Sequence, residues 1–93
     1  MLALLKERLK ITWDYEDAAL QSIIAEGKAY LNSLTNVELD FDTEGEPRRL
    51  LLEYCRYVYN NAGEYFIENF ERDILRLLLL SAIGEKKGDG DEG

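Results

Sequence analysis

Apolar residues recur three and four positions apart along most of this chain, and the points where the recurrence lapses divide it into four predicted helices. Leu2, Leu5 and Leu9, with Lys6, Glu7 and Arg8 between them, predict a two-turn helix over 2–10 that is too short to hold its shape alone. A longer helix is predicted over 15–34, where Leu20, Ile23, Ile24, Gly27, Leu31 and Leu34 share one face and Gln21, Glu26, Lys28 and Asn32 share the other. Asp14, with Asp17 three residues on, has the spacing of an N-cap, and Trp13 stands where the apolar half of a hydrophobic staple belongs.

From Thr35 to Glu46 the helical period stops, and Val37, Leu39 and Phe41 alternate with Glu38, Asp40, Asp42, Glu44 and Glu46, which predicts an acidic loop over 35–46. Thr43 and Glu46 have capping-box spacing just ahead of Pro47, a residue tolerated in a helix's first turn, so a third helix is predicted over 47–61. Leu51, Tyr54, Cys55, Val58 and Ala62 trace its inner stripe, and Asn60-Asn61-Ala62-Gly63 supplies a left-handed cap with Gly63 as the stop. The fourth helix, predicted over 64–83, carries Phe66, Phe70, Ile74, Leu77 and Leu78 at helical spacing. Between Ile74 and Ile83 the apolar positions also include Leu75, Leu79, Leu80 and Ala82, so nearly the whole circumference demands burial, more than a monomer of this size covers. Residues 85–93 contain nothing apolar and predict a disordered, acidic, glycine-rich tail. The expected architecture is therefore all-α: one compact domain, 1–84, built as a bundle of about four helices, followed by that tail.

Charge narrows the function. Nineteen acidic against eleven basic residues give a net charge of −8, which repels phosphate and argues against sequence-specific nucleic-acid binding. Arg48, Arg49, Arg56, Arg72 and Arg76 all fall in the second half, where a local basic face remains open. No apolar run approaches the roughly 20 residues that span a bilayer. One cysteine allows no internal disulfide, and the opening residues lack the basic start and small-residue cleavage site of a secretory leader, so a cytoplasmic protein is expected.

Candidate chemistry is sparse. The chain has no histidine, hence neither the usual neutral-pH base nor the commonest metal ligand. Ser22, Ser33 and Ser81 fall in predicted helices without a glycine-rich elbow, and Cys55 lies on an inner stripe where a thiol acts as a small hydrophobe. Asp40-Phe41-Asp42-Thr43-Glu44-Gly45-Glu46 matches the first seven positions of a calcium loop, but position twelve, where a bidentate Glu belongs, is Leu51. Tyr54, Tyr57 and Tyr59 beside Arg56 have the residue types of a base-stacking platform, yet they do not share one helix face and read as packing between helices. Glu16 with Asp17 and Glu68 with Glu71 read as solvated exterior carboxylates. Neither an enzymatic role nor a cofactor or metal is expected.

The order of features nevertheless resembles a known family. Leu4-Leu5-Lys6-Glu7-Arg8-Leu9-Lys10-Ile11, the turn Asp14-Tyr15-Glu16-Asp17, then Ala18-Ala19-Leu20 and Ala29-Tyr30-Leu31 resemble the first half of phage head-to-tail connector proteins. Leu52-Glu53-Tyr54-Cys55-Arg56-Tyr57, Asn60-Asn61-Ala62 and Glu64-Tyr65-Phe66-Ile67-Glu68-Asn69-Phe70 resemble the second half, so the likeness covers about residues 4 to 80. The resemblance implies a helical structural protein of a phage or prophage, without a catalytic site, that assembles as a ring between portal and tail-completion components around the DNA channel. It places the protein in the host cytoplasm during assembly and at the head–tail junction of the virion.

Two sets of residues become candidates on this basis. Leu75, Leu77, Leu79, Leu80 and Ile83 are candidate subunit contacts, since the over-apolar helix needs a partner surface. Glu38, Asp40, Asp42 and Glu44 are a candidate partner loop or channel lining, where carboxylates would repel DNA. An acidic regulatory module that binds a basic protein and blocks its DNA site is the competing expectation.

Overall fold

The computed structural model shows a helical bundle that follows the predicted order with one added break. Helix α1 spans Leu2–Leu9, α2 Asp17–Thr35 and α3 Glu46–Tyr59; a single 3₁₀ turn at Gly63–Tyr65 leads into α4, Phe66–Asn69, and then α5, Glu71–Glu92. Residues 1–82 are fully described; Ile83 and the expected tail, 85–93, lie outside them. Every regular element among the described residues is helical.

The two leading helices are joined by a stop that the sequence pattern did not announce. Lys10 adopts the left-handed conformation (φ 61°), and the Ile11 amide reaches back to the Lys6 carbonyl (2.8 Å) while Ile11 itself is buried. This double closure with an apolar residue behind it is the Schellman arrangement, made here without glycine. Helix α2 then starts at Asp17, two residues later than expected. Asp14 does not cap it with its side chain; that carboxylate and the one of Asp17 both hold Lys6 (2.7 and 2.8 Å), while the Asp14 carbonyl accepts the Asp17 amide. Trp13 is not a buried staple either, for it stands exposed, stacks on Tyr15 and donates its indole N–H to Glu16 (2.6 Å).

Helix α3 is the centre of the molecule and touches every other helix. Its N-terminus is not closed by the Thr43–Glu46 box: the Thr43 amide donates to Asp40, and the Glu46 carboxylate pairs with Arg49. Burial covers Leu50, Leu51, Leu52 and Cys55, a wider arc than the predicted stripe, because α1 and α2 cover different sides of α3. Helix α2 comes close to α3 at Gly27, where a Cβ would lie 2.6 Å from Leu51 Cδ1 and 2.9 Å from the Tyr54 ring. Tyr54 stacks on Tyr30 and meets Phe66 edge-on, Phe66 stacks on Phe70, and Tyr57 meets both phenylalanines edge-on. The tyrosines of α3 are thus committed to interior packing, with Tyr59 hydrogen-bonding Glu16 (3.0 Å).

Two expectations about the second half are corrected. Asn61, not Gly63, takes the left-handed cap of α3 (φ 59°), with the Ala62 amide donating to Tyr57 O at 2.8 Å; Gly63 instead opens the 3₁₀ turn. The helix predicted over 64–83 is broken at Phe70 (φ −118°, ψ 23°). Tyr, Phe, Ile and Asn are indifferent helix formers, so packing decides: both phenylalanines close around Tyr57, and the Asn69 amide donates to the Tyr57 hydroxyl (2.9 Å).

Gly27→Ala is expected to lower stability by about 1 kcal/mol: overpacking against Leu51 and Tyr54 costs about 2 kcal/mol, and the better helix propensity of alanine returns about 1. The urea midpoint measures it; an unchanged or higher midpoint would show that the two helices separate freely. Among the described residues the buried Tyr30 hydroxyl has no hydrogen-bond partner. Tyr30→Phe should therefore leave the melting temperature unchanged or raise it, with a gain of up to about 1 kcal/mol.

Candidate interaction surface

Helix α5 packs one side on α2 and α3, burying Ile74 and Leu77 and half-burying Leu78. Leu77, expected among the subunit contacts, is only 4% exposed and is part of the core; its position three residues after Ile74 puts both on the inward face. The other described candidates lie outside: Leu75 is 53% exposed, Leu79 64% and Leu80 53%. Leu75 and Leu79 are one turn apart, as are Arg72 and Arg76, and these four side chains form an exposed stripe with Leu80 at its border. Scattered surface leucines need no explanation, whereas contiguous ones on one helix are candidates for a contact surface.

The acidic loop is built differently from the mobile arm that its composition suggests. Phe41 is buried, Leu39 is half-buried, and the Leu39 amide donates to the Asn32 side chain (2.9 Å), so alternate residues anchor the loop while Glu38, Asp40, Asp42 and Glu44 face solvent. The Asp40 carboxylate accepts the amides of Asp42 and Thr43 (2.9 and 3.2 Å), and the hydrogen bonds from Thr43 and Asp42 hold its pKa below the usual value. That carboxylate is turned onto its own backbone, and Leu51, at the twelfth position of the calcium-loop match, is buried in the core. Among the described residues no group of three His, Cys, Asp or Glu side chains gathers to hold a metal ion.

The arginines do not converge on one basic face. Arg49 pairs with Glu46 and with Asp73 of α5 (2.9 and 3.1 Å), Arg56 pairs with Glu53, and Arg76 lies 3.5 Å from Asp73. Arg48 donates to the Asp42 carbonyl (3.2 Å), and Arg72 makes no ion pair among the described residues. Glu53 links α3 to α1 through Arg8; burial pushes its carboxyl up, but hydrogen bonds and charge from Arg56 and Arg8 outweigh this and hold it low. Cys55 is fully buried, and burial pushes its thiol up to about 12, so it remains uncharged.

Sequence reasoning missed a groove of about 470 Å³ between α1 and the start of α3, lined by Leu4, Arg8, Glu44, Gly45, Glu46, Arg48, Arg49 and Leu52. Its members come from segments 40 residues apart, and no local pattern joins them; the one available signal was the excess of leucine in α1. Among the described residues no helix is long and apolar enough to cross a membrane. No family model matches the chain, and neither a curated protein nor a solved structure matches it.

Asp40, Glu46 and Glu53 all have lowered pKa values in the fold, so their stabilisation is present above the ordinary carboxylate range and is lost as pH falls through the depressed values. The free energy of unfolding should hardly change from pH 7 to 5 on account of these groups and then fall steadily below about 4.5. In Glu53→Gln the decline should be shallower, at a cost of about 1 kcal/mol at pH 7; an equally steep acid limb would show that Glu53 is not among its causes.

Proposed function

We propose that this chain is a structural subunit of a phage or prophage head-to-tail connector, a protein that joins its neighbours into a ring between portal and tail-completion components. The observation that carries the reading is the uncovered stripe of α5, which leaves Leu75, Leu79 and Leu80 in water on one helix beside Arg72 and Arg76. Leaving side chains of this size half or more exposed forgoes on the order of 1 kcal/mol each, and a partner surface recovers it. A net charge of −8 suits a wall past which DNA slides, because like charge prevents adhesion. In this reading the protein needs no reaction chemistry and no cofactor, and its work is geometric.

The test is co-expression with the portal protein encoded by the same genome, followed by light scattering and negative-stain electron microscopy. The wild-type chain should join the portal as a ring, and Leu75→Glu with Leu79→Glu should abolish joining while the far-ultraviolet circular dichroism stays unchanged. A genome without a portal gene near this reading frame, or a wild-type chain that ignores the portal, would overturn the assignment.

A further inference from the structure

We propose that the turn between α1 and α2 is a docking site for an arginine side chain of a protein partner, which lies flat on Tyr15 and turns its N–H groups to the Glu16 carboxylate. The site is separate from α5 and does not depend on the connector reading.

Tyr15 is 83% exposed, the most of any large apolar or aromatic side chain among the described residues, and Trp13 beside it is 38% exposed. Rings this exposed ordinarily swing in water, but these are held. They stack with centroids 5.9 Å apart and planes 18° from parallel. The Trp13 indole N–H donates to Glu16 Oε2 (2.6 Å), and the same oxygen accepts the Tyr59 hydroxyl of α3 (3.0 Å), which ties the turn to the centre of the bundle. An aromatic surface fixed by hydrogen bonds has little freedom left to lose when a partner lands on it, as an interface anchor requires.

The chemistry of the turn selects a cation. Aromatic faces carry negative charge density and attract cations. Across 10–17 three carboxylates stand against Lys10, and Lys6 of α1 is bonded to two of them, Asp14 and Asp17. Glu16 is met only by neutral donors, and its Oε1 accepts no hydrogen bond among the described residues. A guanidinium fits better than an ammonium, because it is planar enough to stack on a ring while its N–H fork reaches a carboxylate at the ring's edge. The chain makes the same arrangement internally: the Arg56 guanidinium lies 5.2 Å from the Tyr57 centroid while it pairs with Glu53. A nucleobase would also stack on Tyr15, but its phosphates would meet the three carboxylates of the turn.

The probe is an end-blocked peptide of alternating arginine and serine, titrated into the full chain and followed by two-dimensional amide NMR and by the fluorescence of Trp13, the sole tryptophan. The shift changes should centre on 12–17 and the Trp13 indole. Replacing each arginine of the peptide by citrulline, which keeps the shape and removes the charge, should weaken binding about fivefold or more. Tyr15→Ala should weaken it by a similar factor, and Tyr15→Phe, which keeps the ring face, should bind as the wild type does. Glu16→Gln keeps an oxygen acceptor for Trp13 and Tyr59 but loses the charge, and should weaken binding about threefold. Tyr15 is exposed, so its variants fold, and amide spectra confirm this for all three. Shift changes gathered on the acidic loop 35–46 in place of the turn, equal binding of the citrulline peptide, or unchanged affinity in Tyr15→Ala would overturn the proposal. Self-association of the free chain that Tyr15→Ala abolishes would assign the turn to a second copy and overturn it as well. None of these arms involves the portal, so the connector reading is tested apart from them.

Discussion

The approach of α2 to α3 at Gly27 sets the geometry on which the other elements depend. With no Cβ on that residue, Leu51 and the Tyr54 ring come against the α2 backbone at distances a side chain would forbid. Tyr54 held there stacks on Tyr30 and presents an edge to Phe66, and Phe66 in turn stacks on Phe70. The aromatic series therefore transmits the position of one glycine into the place where the fourth predicted helix breaks. A glycine inside a helix costs about 1 kcal/mol in propensity; here the close packing of a leucine and a tyrosine offsets it, since dispersion is collected over many short contacts.

Around that core the charged side chains act at the joints between helices. Lys6 ties the turn before α2 to α1, Arg8 ties α1 to α3, and Arg49 ties α3 to α5. Exposed pairs of this kind contribute little each, typically below about 1 kcal/mol. Their greater consequence is positional, since each holds two elements at a fixed approach. A bundle of this size has interior for one side of its last helix. Ile74 and Leu77 fill it, and Leu75, Leu79 and Leu80 are left outside. The reading of the chain as an assembly subunit grows from that shortage of interior.

How far this was legible from residue order differs from element to element. The faces of α2 could be read directly, and Leu20, Ile24, Gly27 and Leu31 are all buried. The inward position of Cys55 and the alternation of the 35–46 loop were legible for the same reason, since side-chain direction follows from backbone period alone. On α5 the period was drowned by leucine at nearly every position, and Leu77, which shares the spacing of Phe70 and Ile74, also stood among the expected contacts until packing placed it in the core. The groove was invisible, because its lining is assembled from α1, the loop and α3 by contacts that no short window contains.

The sequence by itself determined that the chain is helical, roughly where each helix runs and which face of α2 turns inward, because those properties depend on neighbours three and four residues away. Only the tertiary structure decided that Lys10 and Asn61 would take the left-handed stops, that the chain would break at Phe70, that α3 would be buried on more than one side, and which leucines of α5 would remain in water. Each of those outcomes is a competition for a limited interior. Local propensities along the helices differ by less than about 1 kcal/mol per residue, whereas burying or leaving out one large apolar side chain is worth about 1.5–3 kcal/mol, so packing between distant segments settles what the local pattern leaves open.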